Sequence, residues 1–113
     1  MKGRLAVASE SYTHADLMAR FFSGLSHHIR YRLVASLTAG ERTVNELAEN
    51  LGCSQSQISN HLACLRWCGY VRSRQEGRYV YYKVTDKRIL EILKLAQSVV
   101  AENAEQISTC TRM

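Results

Sequence analysis

Apolar residues recur along this chain with two different spacings, and the switch between them divides it. Leu17, Met18, Phe21 and Phe22 share one helical stripe, which predicts a helix over about 13–24 that stops at Gly24. Ser26 is placed to cap a second helix, in which Ile29, Leu33, Val34 and Leu37 keep the helical spacing before Gly40. Two capping boxes follow in quick succession. Thr43-Val44-Asn45-Glu46 opens one short helix ended by Gly52, and Ser54-Gln55-Ser56-Gln57 opens another ended near Gly69. Beyond Gly69 the spacing shortens to two: Val80, Tyr82 and Val84 alternate with Tyr79, Tyr81 and Lys83. Together with Arg72-Ser73-Arg74-Gln75 and the Glu76-Gly77 turn this reads as a β-hairpin. Asp86 then caps a last helix, roughly 87–107, with Ile89, Leu93, Ala96, Val100 and Ile107 on one stripe and Leu90 and Val99 beside it.

Two short capped helices joined at a glycine turn form a helix-turn-helix signature. The whole order, ααααββα, predicts a mainly α winged helix-turn-helix with a small β-hairpin. The chain has 113 residues, no proline and no repeat or low-complexity linker, so residues 1–113 read as one domain whose terminal helices dimerise and whose residues 108–113 form a flexible tail. The first residues lack a signal-peptide core and no run is long enough to span a membrane, so a cytoplasmic protein is expected.

Charge sharpens this picture. Residues 51–85 carry five basic side chains and one acidic, whereas 1–50 (six against five) and 86–113 (four against four) are near balance. No acidic residue stands between Glu49 and Glu76. A solvated basic surface is the plain reading of such a run. Here, however, it coincides with a helix rich in short hydrogen-bonding side chains: Ser54, Gln55, Ser56, Gln57, Ser59, Asn60 and His61 surround one apolar Ile58. Side chains of this kind at a helix start can reach base edges and phosphates, and Arg72, Arg74 and Arg78 of the hairpin suit the phosphates or minor groove beside it. Double-stranded DNA is the expected partner. A C₂ homodimer would set two such helices into successive major grooves about 34–36 Å apart.

The four cysteines add a second chemistry. Cys64 and Cys68 lie four apart, on one face of the predicted reading helix, close enough to share one soft metal ion. Cys110 stands in a polar tail with no core pattern around it. On the pair alone, core packing and metal ligation are equally open, because a free cysteine is among the most buried residue types. Cys53, just before the reading helix, reads as a bystander, with a redox or extra-ligand role as its alternative. His14, His27 and His28 read as surface or interface residues, and Trp67 and the hairpin tyrosines as packing residues. No nucleophile–base pair, acid pair or phosphate loop suggests an enzyme.

Over about residues 15–105 the chain resembles the ArsR/SmtB family of metal-responsive repressors. The resemblance is carried by Leu25-Ser-His-His-Ile-Arg-Tyr-Arg-Leu33, Glu46-Leu-Ala48, Ser54-Gln-Ser-Gln-Ile-Ser-Asn-His-Leu62, Leu65 through Gly69-Tyr-Val71, and Glu76-Gly-Arg-Tyr-Val-Tyr-Tyr82. His28 departs from it, since the family often has proline there. The resemblance implies a homodimer, held by its first and last helices, on a partly palindromic operator near its own promoter. Two of the family's sensing sites are missing: Val44-Asn45-Glu46-Leu47 stands where a Cys-x-Cys would be, and residues 87–113 contain no histidine. What remains resembles a cadmium- and lead-sensing branch, in which two cysteines of the reading helix and one of the C-terminal tail bind the ion. Cys64, Cys68 and Cys110 are the implied ligands. Sulfur donors select soft ions, so Cd²⁺ or Pb²⁺ is expected as effector, with Hg²⁺, Zn²⁺ or trivalent arsenic also matching the donors. A thiol redox or persulfide switch on the same DNA-binding frame, and a thiol-rich metal-binding interaction module, are the alternatives.

Overall fold

The computed structural model describes residues 12–111. Five helices and three strands follow in the order α1 (His14–Gly24), α2 (His28–Thr38), β1 (Arg42–Thr43), α3 (Val44–Leu51), α4 (Gln55–Trp67), β2 (Arg72–Glu76), β3 (Tyr79–Lys83) and α5 (Lys87–Thr109). The architecture is a winged helix-turn-helix, as expected, with one addition. Arg42 and Thr43 pair antiparallel with Tyr82 and Tyr81, which makes the hairpin a three-stranded sheet in the order β1-β3-β2. The hairpin itself is in register from Arg72 opposite Lys83 to Glu76 opposite Tyr79.

Local chemistry sets the helix starts. Thr13, Thr43 and Ser54 each accept a backbone N–H from three residues on, and Asp16, Glu46 and Gln57 reach back to the capping residues' own N–H groups. These reciprocal bonds satisfy donors that a helix start otherwise leaves unpaired. The expected Ser26 cap is displaced by one residue: His27 takes the position, its Nδ1 accepting from Ile29 N at 3.1 Å, while Ser26 Oγ donates to Ser23 O. Gly52 closes α3 with φ +69°, the left-handed conformation that turns the chain into α4.

The core lies between α2, α3, α4 and the base of the sheet. Leu33, Val34, Leu37, Leu47, Ile58 and Leu62 are fully buried, and Leu65, Tyr70, Val71, Val84, Ile89 and Leu93 complete it. The terminal helices behave differently. None of the α1 residues is buried, and α5 buries only Ile89 and Leu93. Much of the expected stripes there stands open: Leu17, Met18 and Phe22 on α1, and Val99, Val100 and Ile107 on α5, are exposed, and so is Leu95, outside the expected stripe.

α5 runs two residues beyond its expected end, so Ser108 and Thr109 are helical rather than part of a tail, and Cys110 is the capping residue. Of the 108–113 segment, Arg112 and Met113 lie outside the described residues. Asn103 departs from helical geometry (φ −125°, ψ 21°), and its side-chain amide donates to Val99 O, which marks a kink before the last turns. No helix among the described residues is long and apolar enough to cross a membrane.

Candidate DNA-reading helix and thiol site

Ile58, Leu62 and Leu65 point α4 into the core, which turns its opposite face outward. Ser56, Ser59, Asn60 and Ala63 fall at helical spacing on that face, and all are exposed. The other expected reading residues are brought to the same end of the molecule with different duties. Ser54 and Gln57 form the capping box, and the Gln55 amide donates to Asn45 Oδ1 on α3. His61 turns back toward α2: its ring lies 4.8 Å from that of His27, which stacks on His28 at 5.1 Å. Burial, then the neighbouring His27 and Arg30 charges, hold the His61 imidazole below its ordinary pKa.

The three hairpin arginines are separated by the sheet. Arg78 is exposed at the turn beside Gly77. Arg72 lies at the opposite end of β2, exposed, across from Lys83. Arg74 is held: its Nε and Nη2 donate to the Glu41 carboxylate at 2.7 and 3.0 Å, Nη1 donates to Glu76, and the guanidinium lies over the Tyr81 ring. Those bonds hold the Glu41 carboxyl below the usual carboxylate range. Trp67 and Tyr79, expected to pack, are instead 66% and 53% exposed, while Tyr81 and Tyr82 are half-buried.

The thiols occupy the second half of the same helix. Asn60, Cys64 and Cys68 follow at intervals of four, so the sulfurs continue one ridge that begins on the reading face. Cys64 is on α4 and Cys68 is its C-terminal cap; both are exposed and neither is disulfide-bonded. Core packing, left open by the sequence, does not account for them. Burial, followed by the adjacent Cys64 sulfur, pushes the Cys68 thiol above its usual pKa. A dication bound at Cys68 would relieve that penalty on its thiolate. Arg30 of α2 approaches from the other side, Nη1 donating to Cys64 Sγ at 3.9 Å. Cys53, by contrast, packs half-buried against the core with its thiol directed at Leu51 O.

Cys110 is exposed at the far end of α5. Cys68 borders a cavity together with Ile89 and Ile92, near the start of that helix. From Ile89 to Cys110 the helix advances about 30 Å at 1.5 Å per residue. Within one chain the three cysteines are therefore not brought together. No group of three or more His, Cys, Asp or Glu side chains able to hold a metal ion occurs among the described residues. No sequence signal points to Arg30 at this site, because it is 34 residues from Cys64 along the chain.

A buried three-helix core presenting an outward helix of small polar residues beside a basic hairpin defines a winged helix-turn-helix DNA-binding protein. The bacterial regulatory protein model of the arsR family matches residues 27–73, which span α2 through the first residues of β2. The chain is 41% identical over 113 residues to the probable mercury resistance operon repressor of Streptomyces lividans, covering 100% of this chain and 90% of that protein. It is 38% identical over 90 residues to the HTH-type transcriptional regulator CmtR of Mycobacterium tuberculosis, covering 79% of this chain and 76% of that one. Among solved structures, NolR from Sinorhizobium fredii superposes with a TM-score of 0.73 at 30% identity, covering 80% of this chain and 91% of that chain. The homodimeric winged helix-turn-helix DNA-binding domain from Mycobacterium bovis gives 0.73 at 29%, covering 81% and 85%. The chain belongs to the ArsR family of bacterial regulatory proteins.

Proposed function

We propose that this protein is a homodimeric transcriptional repressor whose hold on operator DNA is released by a soft, thiophilic metal ion bound through Cys64 and Cys68. The observation that carries the reading is the position of the two exposed thiols, one and two turns along the same ridge as Asn60. An ion joining them acts on the helix that reads DNA. The metal-responsive side of the reading is supported by the Streptomyces lividans relative, named for mercury resistance.

Ser56, Ser59 and Asn60 face the base edges, and Arg78 at the hairpin turn meets phosphate or the minor groove. Ser54, Gln55, Gln57 and His61 shape and support that helix, and Arg72 adds charge at the edge of the interface. Arg74 contributes through the hairpin, since its guanidinium is already engaged by Glu41 and Glu76.

The open apolar stripes of α1 and α5 pack against those of a second copy. An antiparallel arrangement of the two α5 helices carries Cys110 of the second copy to the start of this one, where Cys64 and Cys68 lie. That supplies the third sulfur, which the length of α5 denies within one chain. Cd²⁺ and Pb²⁺ suit a three-sulfur set, as does trivalent arsenic; Hg²⁺ is satisfied by the helical pair alone, and zinc prefers a fourth ligand. Release follows from linkage: an ion that prefers the DNA-unbound arrangement weakens DNA binding by the same factor as DNA weakens ion binding.

Mixing two inactive variants tests this arrangement. Cys110→Ser and the double variant Cys64→Ser, Cys68→Ser are each expected to lose the thiolate-to-Cd²⁺ absorption of a complete site. Co-refolded, they regain it at one site per mixed dimer. No regain on mixing overturns the shared site, and no absorption in the unaltered protein overturns metal binding altogether.

A further inference from the structure

Among the described residues, Arg30 is a cation without an anion. The ion pairs among the described residues are those of Arg74 and Arg88, and neither involves it. Its Nε is buried with no hydrogen-bond acceptor, and its Nη1 is directed at Cys64 Sγ. Leaving the Nε–H of a half-buried guanidinium without an acceptor costs free energy, and an anion arriving beside it with acceptor lone pairs offsets that cost. Beside Arg30 stand the two sulfurs that the proposed function assigns to a metal ion.

Charge decides what that anion is. A divalent ion on two thiolates makes a neutral complex, and with Arg30 the site would carry a net positive charge. Three thiolates on the same ion make a complex of charge −1, which one guanidinium balances. In the overall step three thiols bind M²⁺ and give up three protons to solvent, leaving an [M(SR)₃]⁻ unit beside an unchanged guanidinium. A DNA phosphate is the other anion an arginine of such a protein could meet. The direction of Nη1, onto Cys64 Sγ, favours the thiolate complex.

We propose that Arg30 is a specificity residue of the thiol site: its N–H groups pair with thiolate sulfur, and its charge selects the anionic three-sulfur complex over the neutral two-sulfur one. This rests on the reading of Cys64, Cys68 and a third cysteine as the metal site. It also gives α2 a direct link to the occupied site, across the interface between two helices of the helix-turn-helix core.

The full-length dimer, Arg30→Gln and Arg30→Lys are titrated with Cd²⁺ against a competing chelator. Affinity is read together with the number of bound sulfurs, from ¹¹³Cd chemical shift and the thiolate-to-Cd²⁺ absorption per ion. Thermal melts of the metal-free proteins verify folding. The unaltered protein is expected to show three sulfurs. Arg30→Gln should lose about tenfold or more in affinity and fall to two sulfurs, in line with loss of a charged hydrogen bond. Arg30→Lys, which keeps the charge and loses the planar fork, should keep three sulfurs at intermediate affinity. If the unaltered protein shows no Cd–sulfur signal, the metal site itself fails. If it shows three sulfurs and both variants match it, the role of Arg30 fails alone. Variants that keep the Cd²⁺ complex but lose salt-dependent DNA affinity reassign Arg30 to phosphate and likewise overturn the proposal.

Discussion

Gly24, the last residue of α1, has no room for a side chain, and the consequence can be worked out closely. A Cβ built there would stand 2.4 Å from the Tyr70 hydroxyl oxygen, 2.8 Å from Cζ and 2.9 Å from Cε2. The Tyr70 ring has little freedom to yield. It is 5% exposed, its centroid lies 5.3 Å from that of Phe21, and its hydroxyl donates to Phe21 O. Gly24→Ala therefore forces either the ring or the end of α1 to shift, at a cost of about 1–3 kcal/mol. The higher helix propensity of alanine offsets at most about 1 kcal/mol of that. A net loss of about 1–2 kcal/mol is expected, which for a domain of this size lowers Tm by roughly 4–8 °C per kcal/mol. The assay is a thermal melt at fixed protein concentration, because the Tm of the proposed dimer would depend on it. Tyr70→Phe removes both the hydroxyl donated to Phe21 O, worth about 0.5–1.5 kcal/mol, and the atom nearest the new methyl. The double variant should be less damaged than the two single losses together. An unchanged Tm for Gly24→Ala, or strict additivity, would refute the packing argument. Because Tyr70 is two residues beyond Cys68, this contact also ties the proposed thiol site to the exposed apolar face of α1.

Other expectations concern the hairpin, the dimer and the thiols. Arg78→Ala should weaken DNA binding and reduce by about one the slope of log affinity against log salt. Arg74→Ala, which breaks the bonds to Glu41 and Glu76, should lower Tm with little change in that slope; the opposite pattern in salt titrations would reverse the two roles. Val99→Asp, on the open face of α5, should yield a monomer in sedimentation and abolish operator binding, whereas an intact dimer would remove α5 from the interface. Because burial and Cys64 push the Cys68 thiol up, the proton competes with the metal at neutral pH, and Cd²⁺ affinity should rise with pH. Proton release in a weakly buffered titration measures it, and pH-independent affinity between about 6 and 8 contradicts it. Asp86, held at about 2 by Arg88, has a depressed pKa, so its contribution to stability is present above its ordinary value and lost as pH falls toward 2. Asp86→Asn should therefore flatten the acid end of the Tm–pH curve.

Where the chain's own periodicity and caps decide the structure, the sequence was readable. The boxes at Thr43 and Ser54 and the alternation of Val80, Tyr82 and Val84 are local signals, and each lies where expected. β1 was hidden because it is two residues long and Thr43 also serves as a helix cap. Trp67 reads as a packing residue because its size outweighs its position, two residues past the inward Leu65 on a helix whose buried face is narrow. At the site, the spacing of Cys64 and Cys68 was visible in the sequence, whereas Arg30 is placed by tertiary packing between α2 and α4. The distance to Cys110 needed the true length of α5, which the polar end of that helix concealed.

The proposed function requires that a soft metal act through the reading helix to control DNA binding. The direct measurement is fluorescence anisotropy of a labelled duplex carrying the protein's own promoter region, titrated with reduced protein with and without Cd²⁺, for the unaltered chain and for Cys64→Ser, Cys68→Ser. Both metal-free proteins should bind tightly and with a strong dependence on salt. Added Cd²⁺ should weaken the unaltered protein by at least about fivefold, within the usual span of allosteric coupling, and leave the double variant unchanged. Equal affinity with and without the ion, or a metal response that survives loss of both cysteines, would contradict it.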